Sequence, residues 1–261
     1  MTLDLTTVVD NVNLPTVLNL KDLILAQPSL VEWFQADALS TTPGADSGIE
    51  SLNSLTTAAG VLSQPDTEKQ AALVSSAIGA FSALKFDKTD FYTWTGPNPA
   101  TAYTWALVLK RGDPTENQAV FGTRNTPGDQ SHMRFRTGMN ISYYHGSAVL
   151  TQTTPDGWLL GVFGHDANAA FTGGTAYLSV NGSPYLSEAT DNKAGTGEPY
   201  LLGALSETLS QPFDGEVSDI WMFDVAPLLA EKELSLVKDY CEQVYGIPIE
   251  PLPRNKLAIG S

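Results

Sequence analysis

The side chains in this sequence that could do chemistry fall into three groups, and their spacing decides what kind. Acid/base hydrolysis of a glycosidic bond needs two carboxyl groups roughly 5 to 9 Å apart in one cleft. The nearest match is Glu216 and Asp219, with Asp224 beyond. Residues three apart on a regular strand point to opposite faces, so the spacing predicts a solvated strand entered through an Asp214-Gly215 turn, not a catalytic pair. His132, His145 and His165 show neither HxxxH nor HExxH spacing and have no cysteine partner, so no zinc site is expected. The single cysteine, Cys241, rules out an internal disulfide and is expected as a small buried hydrophobe.

The third group is basic and aromatic. Residues 110 to 145 hold Lys110, Arg111, Arg124, Arg134 and Arg136 against Asp113, Glu116 and Asp129, a local positive excess in a strongly acidic chain. On a strand at Met133–Arg136, Arg134 and Arg136 share a face with His132, while Met133 and Phe135 take the other. Tyr143, Tyr144 and His145 follow on the next strand. Arginine beside tyrosine serves interfaces and sugar-binding surfaces through stacking and forked hydrogen bonds; a plain solvated sheet face is the alternative. Trp94, in the loop-like run Phe91–Pro97, is a further candidate contact, whereas Trp105, Trp158 and Trp221 sit in apolar strand runs and are expected in the core. The candidate ligand-binding residues are therefore Trp94, His132, Arg134, Arg136, Tyr143, Tyr144 and His145.

Short strands punctuated by Gly, Pro, Asn and Asp must position these groups, the pattern of an all-β sandwich or barrel. Strands are expected at Ser82–Phe86, Tyr103–Lys110, Gln118–Gly122, Met133–Arg136, Ile141–His145, Gly157–Gly164, Ala176–Val180, Tyr200–Leu205 and Gly215–Phe223. Asn181-Gly182 supplies the residues of a type I′ turn. One main helix is expected near 230–245, where Leu234, Val237, Cys241 and Val244 recur on one face, Glu231 and Glu233 sit near its N-terminus, and Gly246 and Pro248 stop it. Residues 1–29 read as an arm with about two helical turns within Asn19–Gln27, and residues 248–261 as a proline-rich tail.

A net charge of −15 sets the chain against phosphate backbones and anionic lipid, so neither nucleic acid nor membrane is an expected partner. No run approaches the ~20 apolar residues of a membrane span, and Met1–Leu5 lacks a basic signal-peptide region. A soluble chain made in the cytoplasm is expected.

The body resembles a concanavalin A-like jelly-roll domain of the laminin-G type, in the version common in bacteriophage and bacterial surface proteins. Four stretches carry the resemblance in order: Leu30–Asp37, similar to the opening Trp-containing strand; Gln70–Asp87, similar to a run ending A-L-x-F-D-G, with Lys88 where glycine is usual; Trp158–Val162 with Tyr177–Gly182, similar to a pair ending L-Y-V-N-G; and Pro212–Ile220 with the helix ending Tyr240–Ile247. Asp66–Ser76, which could pass for a capped helix, becomes a loop and short strand in this pattern.

The resemblance implies an all-β, two-layer antiparallel jelly-roll sandwich over residues 30–247 with one C-terminal helix. It implies no cofactor. Calcium, which such sandwiches often hold in rim loops, is not indicated: Asp156, Asp166 or Asp191 could supply oxygens, but no DxDxDG loop is present and a plain turn aspartate is the favoured reading of each. It also implies a non-enzymatic structural protein of a tailed-bacteriophage virion, a lectin-like attachment or decoration module. Its partners are other virion proteins engaged through the 1–29 arm and a host-surface glycan. The arm is expected to drive homo-oligomer assembly, with the sandwich folding without it. The alternatives are a secreted or cell-surface carbohydrate-binding module and a glycan-degrading enzyme.

Overall fold

The alternation of apolar and polar residues that marks most strands fails at Tyr103–Leu109, where every residue but Thr104 is apolar, so that stretch must be covered on both faces. The structure, a computed structural model, supplies both covers. It describes residues 19–37, 39–44, 48–57, 60–95, 102–126, 129–167, 173–190, 199–206 and 209–250.

The chain opens with a short helix, Leu20–Leu25 (α1), and strand Leu30–Gln35 (β1). Three short strands follow, Thr41–Pro43 (β2), Ile49–Asn53 (β3) and Val61–Ser63 (β4), then Ala72–Ile78 (β5), Phe81–Asp87 (β6) and Tyr92–Trp94 (β7). The long strands are Ala102–Arg111 (β8), Gln118–Thr126 (β9), Asp129–Arg136 (β10), Asn140–His145 (β11), Ala148–Thr153 (β12), Trp158–Ala167 (β13) and Gly174–Val180 (β14). Leu186–Thr190 (β15), Tyr200–Leu202 (β16), Asp214–Phe223 (β17) and helix Glu231–Tyr245 (α2) complete the described elements.

The strands form two antiparallel sheets, the all-β sandwich expected from the sequence. One runs β15-β14-β13-β8-β17-β6-β5, with β6 pairing the first half of β17 and β1 the second half of the same strand. The other runs β12-β11-β10-β9-β16-β7-β4-β3-β2. Trp105, Leu107 and Leu109 of β8 point between the sheets to meet Phe121, Phe135 and Tyr143. Ala106 and Val108 point outward, into a second apolar layer with Trp33, Trp221, Leu234, Val237 and Cys241.

That second layer exists because α2 lies on the outer face of the β17 sheet. Leu234, Val237 and Cys241 fall on one helical face, as expected, and Cys241 is fully buried. Gly246, at φ 65°, takes the left-handed turn that ends the helix, its N–H reaching Glu242 O. Helix α1, capped by Asn19 Oδ1 accepting from Asp22 N at 2.9 Å, buries Ile24 in the same layer. The described part of the 1–29 segment is thus packed on the sandwich.

Three local expectations are refined. Asn181 and Gly182 do form a tight turn, at φ 48° and 76° and closed by Ser183 N to Val180 O at 3.0 Å, but β15 begins only at Leu186, so the turn opens a longer connection. Asp66–Ser76 becomes a single turn of 3-10 helix at Thr67–Lys69 followed by β5, as the family pattern implied. The loop expected around Trp94 is instead strand β7. Among the described residues no helix is long and apolar enough to cross a membrane.

Candidate functional site

Alternation on β10 and β11 divides six of the seven candidate residues between two faces, and the seventh, Trp94, lies on β7. Met133 and Phe135 point into the core with no more than 1% exposure. His132, Arg134 and Arg136 therefore lie on the outer face, where β11 contributes Tyr144 from register opposite His132. His132 and Tyr144 stack with ring centroids 4.8 Å apart and planes within 8°. The Arg134 guanidinium sits 4.1 Å from the centre of the same Tyr144 ring and donates to its hydroxyl. A second arm of Arg134 donates to Gln211 Oε1 at 3.0 Å, from the connection before β17.

Gly122 makes room for this column. It faces His132 across the β9–β10 ladder at φ 141°, and a Cβ there would stand 2.2 Å from Ser131 O. Beside the column, Ser142 and Thr151 join hydroxyls at 2.7 Å, and Arg136 is exposed. The result is an outer sheet face that no described helix covers: His132, Ser142 and Tyr144 are buried in it, half-buried Arg134 is held by a tyrosine and an amide, and Arg136 and Thr151 are exposed. A planar guanidinium fixed by stacking offers its remaining N–H groups in a set direction, suited to hydroxyl or carboxyl oxygens.

Tyr143 and His145 are not part of that face. Both are fully buried between the sheets, where Tyr103 OH lies 2.9 Å from Tyr143 OH and 3.0 Å from His145 Nδ1, and Ser131 Oγ lies 2.6 Å from Tyr103 OH. His145 stacks on His165 at 3.9 Å. Burial, with His165 alongside, pushes its pKa down to about 2, so the imidazole is neutral and serves packing and hydrogen bonding. Trp94 is also core: 5% exposed, it meets Trp105 and Tyr200 edge-on at 5.3 and 5.7 Å. The candidates Trp94, Tyr143 and His145 are corrected accordingly. A pair of adjacent tyrosines on a strand must split between its two faces, and Trp94 is claimed by the inter-sheet aromatic cluster. Of the core tryptophans, Trp105 and Trp221 are fully buried, while half-buried Trp158 packs at the edge of the second layer beneath the Lys110 ammonium.

The carboxylates also move. A bulge between Val217 and Asp219 breaks the alternation. Val217 and Ile220 both face the core, so Asp219 joins Glu216 on the outer side of its sheet, not the opposite face expected for a regular strand. The two still do not share an open cleft. Glu216 pairs with Lys110 at 3.1 Å, whereas Asp219 is sealed beneath α2, accepting from Trp33 Nε1 at 2.7 Å, Ser218 Oγ at 3.1 Å and Tyr245 OH. Burial pushes the Asp219 pKa up to about 6.

Asp156 and Asp166 flank β13 near opposite ends, separated by about 30 Å of strand, so they cannot share one ion. Asp191 lies outside the described residues. The contribution of Gln211 had no sequence signal, since it is brought to Arg134 from 77 positions away.

No protein-family model matches the sequence, and no curated protein matches it. Solved structures do share the fold. The binding domain of botulinum neurotoxin DC, in complex with rat synaptotagmin II, has a TM-score of 0.55 at 8% identity, covering 81% of this chain and 51% of that one. Trypanosoma rangeli sialidase, in complex with the inhibitor DANA, also gives 0.55, at 10% identity, covering 82% and 33%. Domain 4 of AbnA, a GH43 extracellular arabinanase from Geobacillus stearothermophilus solved with arabinotriose, gives 0.51 at 15% identity, covering 76% and 93%. The chain thus spans about half of the neurotoxin chain, a third of the sialidase and nearly all of the arabinanase domain. At these identities the likeness is one of β-sandwich fold.

Proposed function

We propose that this chain is a non-catalytic carbohydrate-binding sandwich that contacts glycan through the outer face of β10–β12. The observation that carries this is the half-buried Arg134 guanidinium, stacked 4.1 Å over Tyr144 and bonded to Gln211 beside exposed Arg136. A side chain as long as arginine loses much rotamer freedom when fixed, and here that cost is already met before ligand arrives. Its in-plane donors, with exposed Arg136 and the Thr151 hydroxyl, present hydrogen-bonding groups to the oxygens of a sugar chain. The arabinanase domain solved with arabinotriose supports the reading by likeness of fold.

In its narrower form the module is displayed on the virion of a tailed bacteriophage, as a homo-oligomer held to other virion proteins through the N-terminal segment. The four ordered motifs support this form.

The test is binding of the full chain to an array of oligosaccharides and polysaccharides, with the Arg134→Ala/Arg136→Ala double variant alongside. Saturable binding that falls about tenfold or more in the variant is expected. Equal binding by both proteins, or none by either, would overturn the assignment of this face.

A further inference from the structure

On the other sheet the helical cover is incomplete. Between α1, α2, the end of β1 and the β5–β6 hairpin lies a cavity of about 330 Å³, at the small end of the range for small-molecule sites. Its aromatic walls stand at right angles. Phe81 meets Tyr245 at 5.1 Å and 86°, and Tyr245 meets Tyr240 at 5.5 Å and 85°. Phe81 stands at the rim with 37% of its surface exposed.

The polar groups of the cavity are held in set roles. Lys21 Nζ donates to Gln35 Oε1 at 2.8 Å, and Gln35 Nε2 donates to Tyr240 OH at 3.1 Å, so the Tyr240 hydroxyl oxygen accepts one bond. The Tyr245 hydroxyl donates inward to buried Asp219 and accepts from Ser218 Oγ at 3.5 Å. At the rim, Asp37 is fixed through Oδ1, which accepts from the Leu39 and Ser40 N–H groups at 2.9 and 2.8 Å.

Charge and shape together narrow the ligand. Lys21 and Asp37 balance one another at the cavity, which therefore carries no net preference for a cation or an anion. A ring with apolar C–H faces and several hydroxyls, each both donor and acceptor, matches interleaved donors and acceptors set between aromatic walls. We infer that this cavity is a binding site for one neutral sugar ring, free or at the end of a glycan chain, distinct from the β10–β12 face. The two sites share no residue and lie on opposite sheets, so either assignment can fail while the other stands.

The test is calorimetric titration of the full chain with free glucose, galactose, mannose and N-acetylglucosamine, and separately with oligosaccharides ending in each. Binding in the millimolar range is expected for at least one ring. Phe81→Ala and Asp37→Asn, both at the rim, should each weaken free-ring binding about tenfold with the cooperative thermal transition retained, while Leu229→Ala, at an exposed position outside both sites, leaves it unchanged. Trp33, whose ring lies 5.4 Å from the Lys21 ammonium, gives a second readout through its fluorescence. A free ring that binds as well as its oligosaccharide assigns the site to free sugar; binding only of the oligosaccharide assigns it to chain ends. No binding by any probe up to about 50 mM, or free-ring binding kept in both Phe81→Ala and Asp37→Asn, would overturn the site.

Discussion

The outer faces of the two sheets carry similar side chains to different ends. On the β17 sheet, Trp33, Trp221 and Tyr240 pack within 5.5 to 6.1 Å of one another under two helices, and the one strand carboxylate among them, Asp219, has no exposed surface. On the β10 sheet, Tyr144 is stacked between a histidine and an arginine, with polar neighbours and no helical cover. Where aromatic surface is large and continuous, the hydrophobic effect recruits a roof. Where arginine and short hydroxyl side chains interrupt it, no helix among the described residues is recruited, and Arg136 and Thr151 stay exposed.

The largest expected effect tests the roof. Trp221 is fully buried in contact with Trp33 and Tyr240, so Trp221→Ala should cost about 3–5 kcal/mol of stability by urea denaturation, against less than about 1 kcal/mol for Arg136→Ala on the β10–β12 face. Comparable losses at the two positions would break the distinction between a structural and a recognition face.

Next comes the acid beneath the roof. Asp219 ordinarily titrates near 3.8 and is pushed up to about 6 by burial, even though Tyr245, Trp33 and Ser218 donate to it. Between those values the folded chain holds a proton that the unfolded chain has released, so stability falls as pH rises from about 4 to 6 and stays lower above that. The full penalty is on the order of 2–3 kcal/mol. His145 acts in the opposite sense: held neutral to about pH 2, it costs stability as pH falls below its ordinary 6.5. Asp219→Asn isolates the first effect. Relative to wild type it should gain stability above pH 6 and gain none below pH 4, and parallel pH profiles for the two proteins would show that another group titrates.

How much of this contrast was legible in the sequence follows from the range of each interaction. Periodicity is local, so strand alternation correctly put His132, Arg134 and Arg136 on one face, and helical spacing correctly put Leu234, Val237 and Cys241 on another. The bulge at Asp219 was invisible, because it arises from the pairing of β17 with β8 and changes no local pattern. Trp94 was misread for a similar reason: Phe91–Pro97 has loop composition, and only the Tyr200 and Trp105 rings, distant in sequence, make it a strand. Strands of three residues such as β4 and β7 are held by their neighbours more than by propensity. Tyr245 and Phe81 were readable as apolar positions, but not as two walls of one cavity.

On the β10–β12 face the expected effect is smaller and falls on ligand more than on fold. Arg134→Lys keeps the charge and loses the planar fork that stacks on Tyr144 and reaches Gln211. Glycan affinity should drop about tenfold while the thermal midpoint moves by only a few degrees. Full retention of affinity would mean that charge alone serves, and that the Tyr144 stack is packing.

The smallest effect is expected where the two kinds of surface meet. Glu216 lies on the outer side of the roofed sheet but at its margin, its side chain 19% exposed and paired with Lys110 at 3.1 Å. The bulge puts it on the same side as Asp219, so the geometry, unlike the bare spacing, leaves a carboxylate pair to be tested. Hydrolysis would require both groups to reach the scissile bond from one cleft, one protonated and one ionised. Asp219 meets the protonation requirement with its raised pKa and fails the access requirement, since all three of its donors belong to the packed layer between β1, β17 and α2. A pair with one member sealed and the other in a partly exposed ion bridge does not meet that requirement in this geometry. Glu216→Gln should therefore shift stability by no more than about 1 kcal/mol, and neither wild type nor variant should release reducing ends from the polysaccharides that the chain binds. Release by the wild type that disappears in Glu216→Gln would show that Asp219 becomes accessible in solution, and the roofed face would then be the one that acts on glycan.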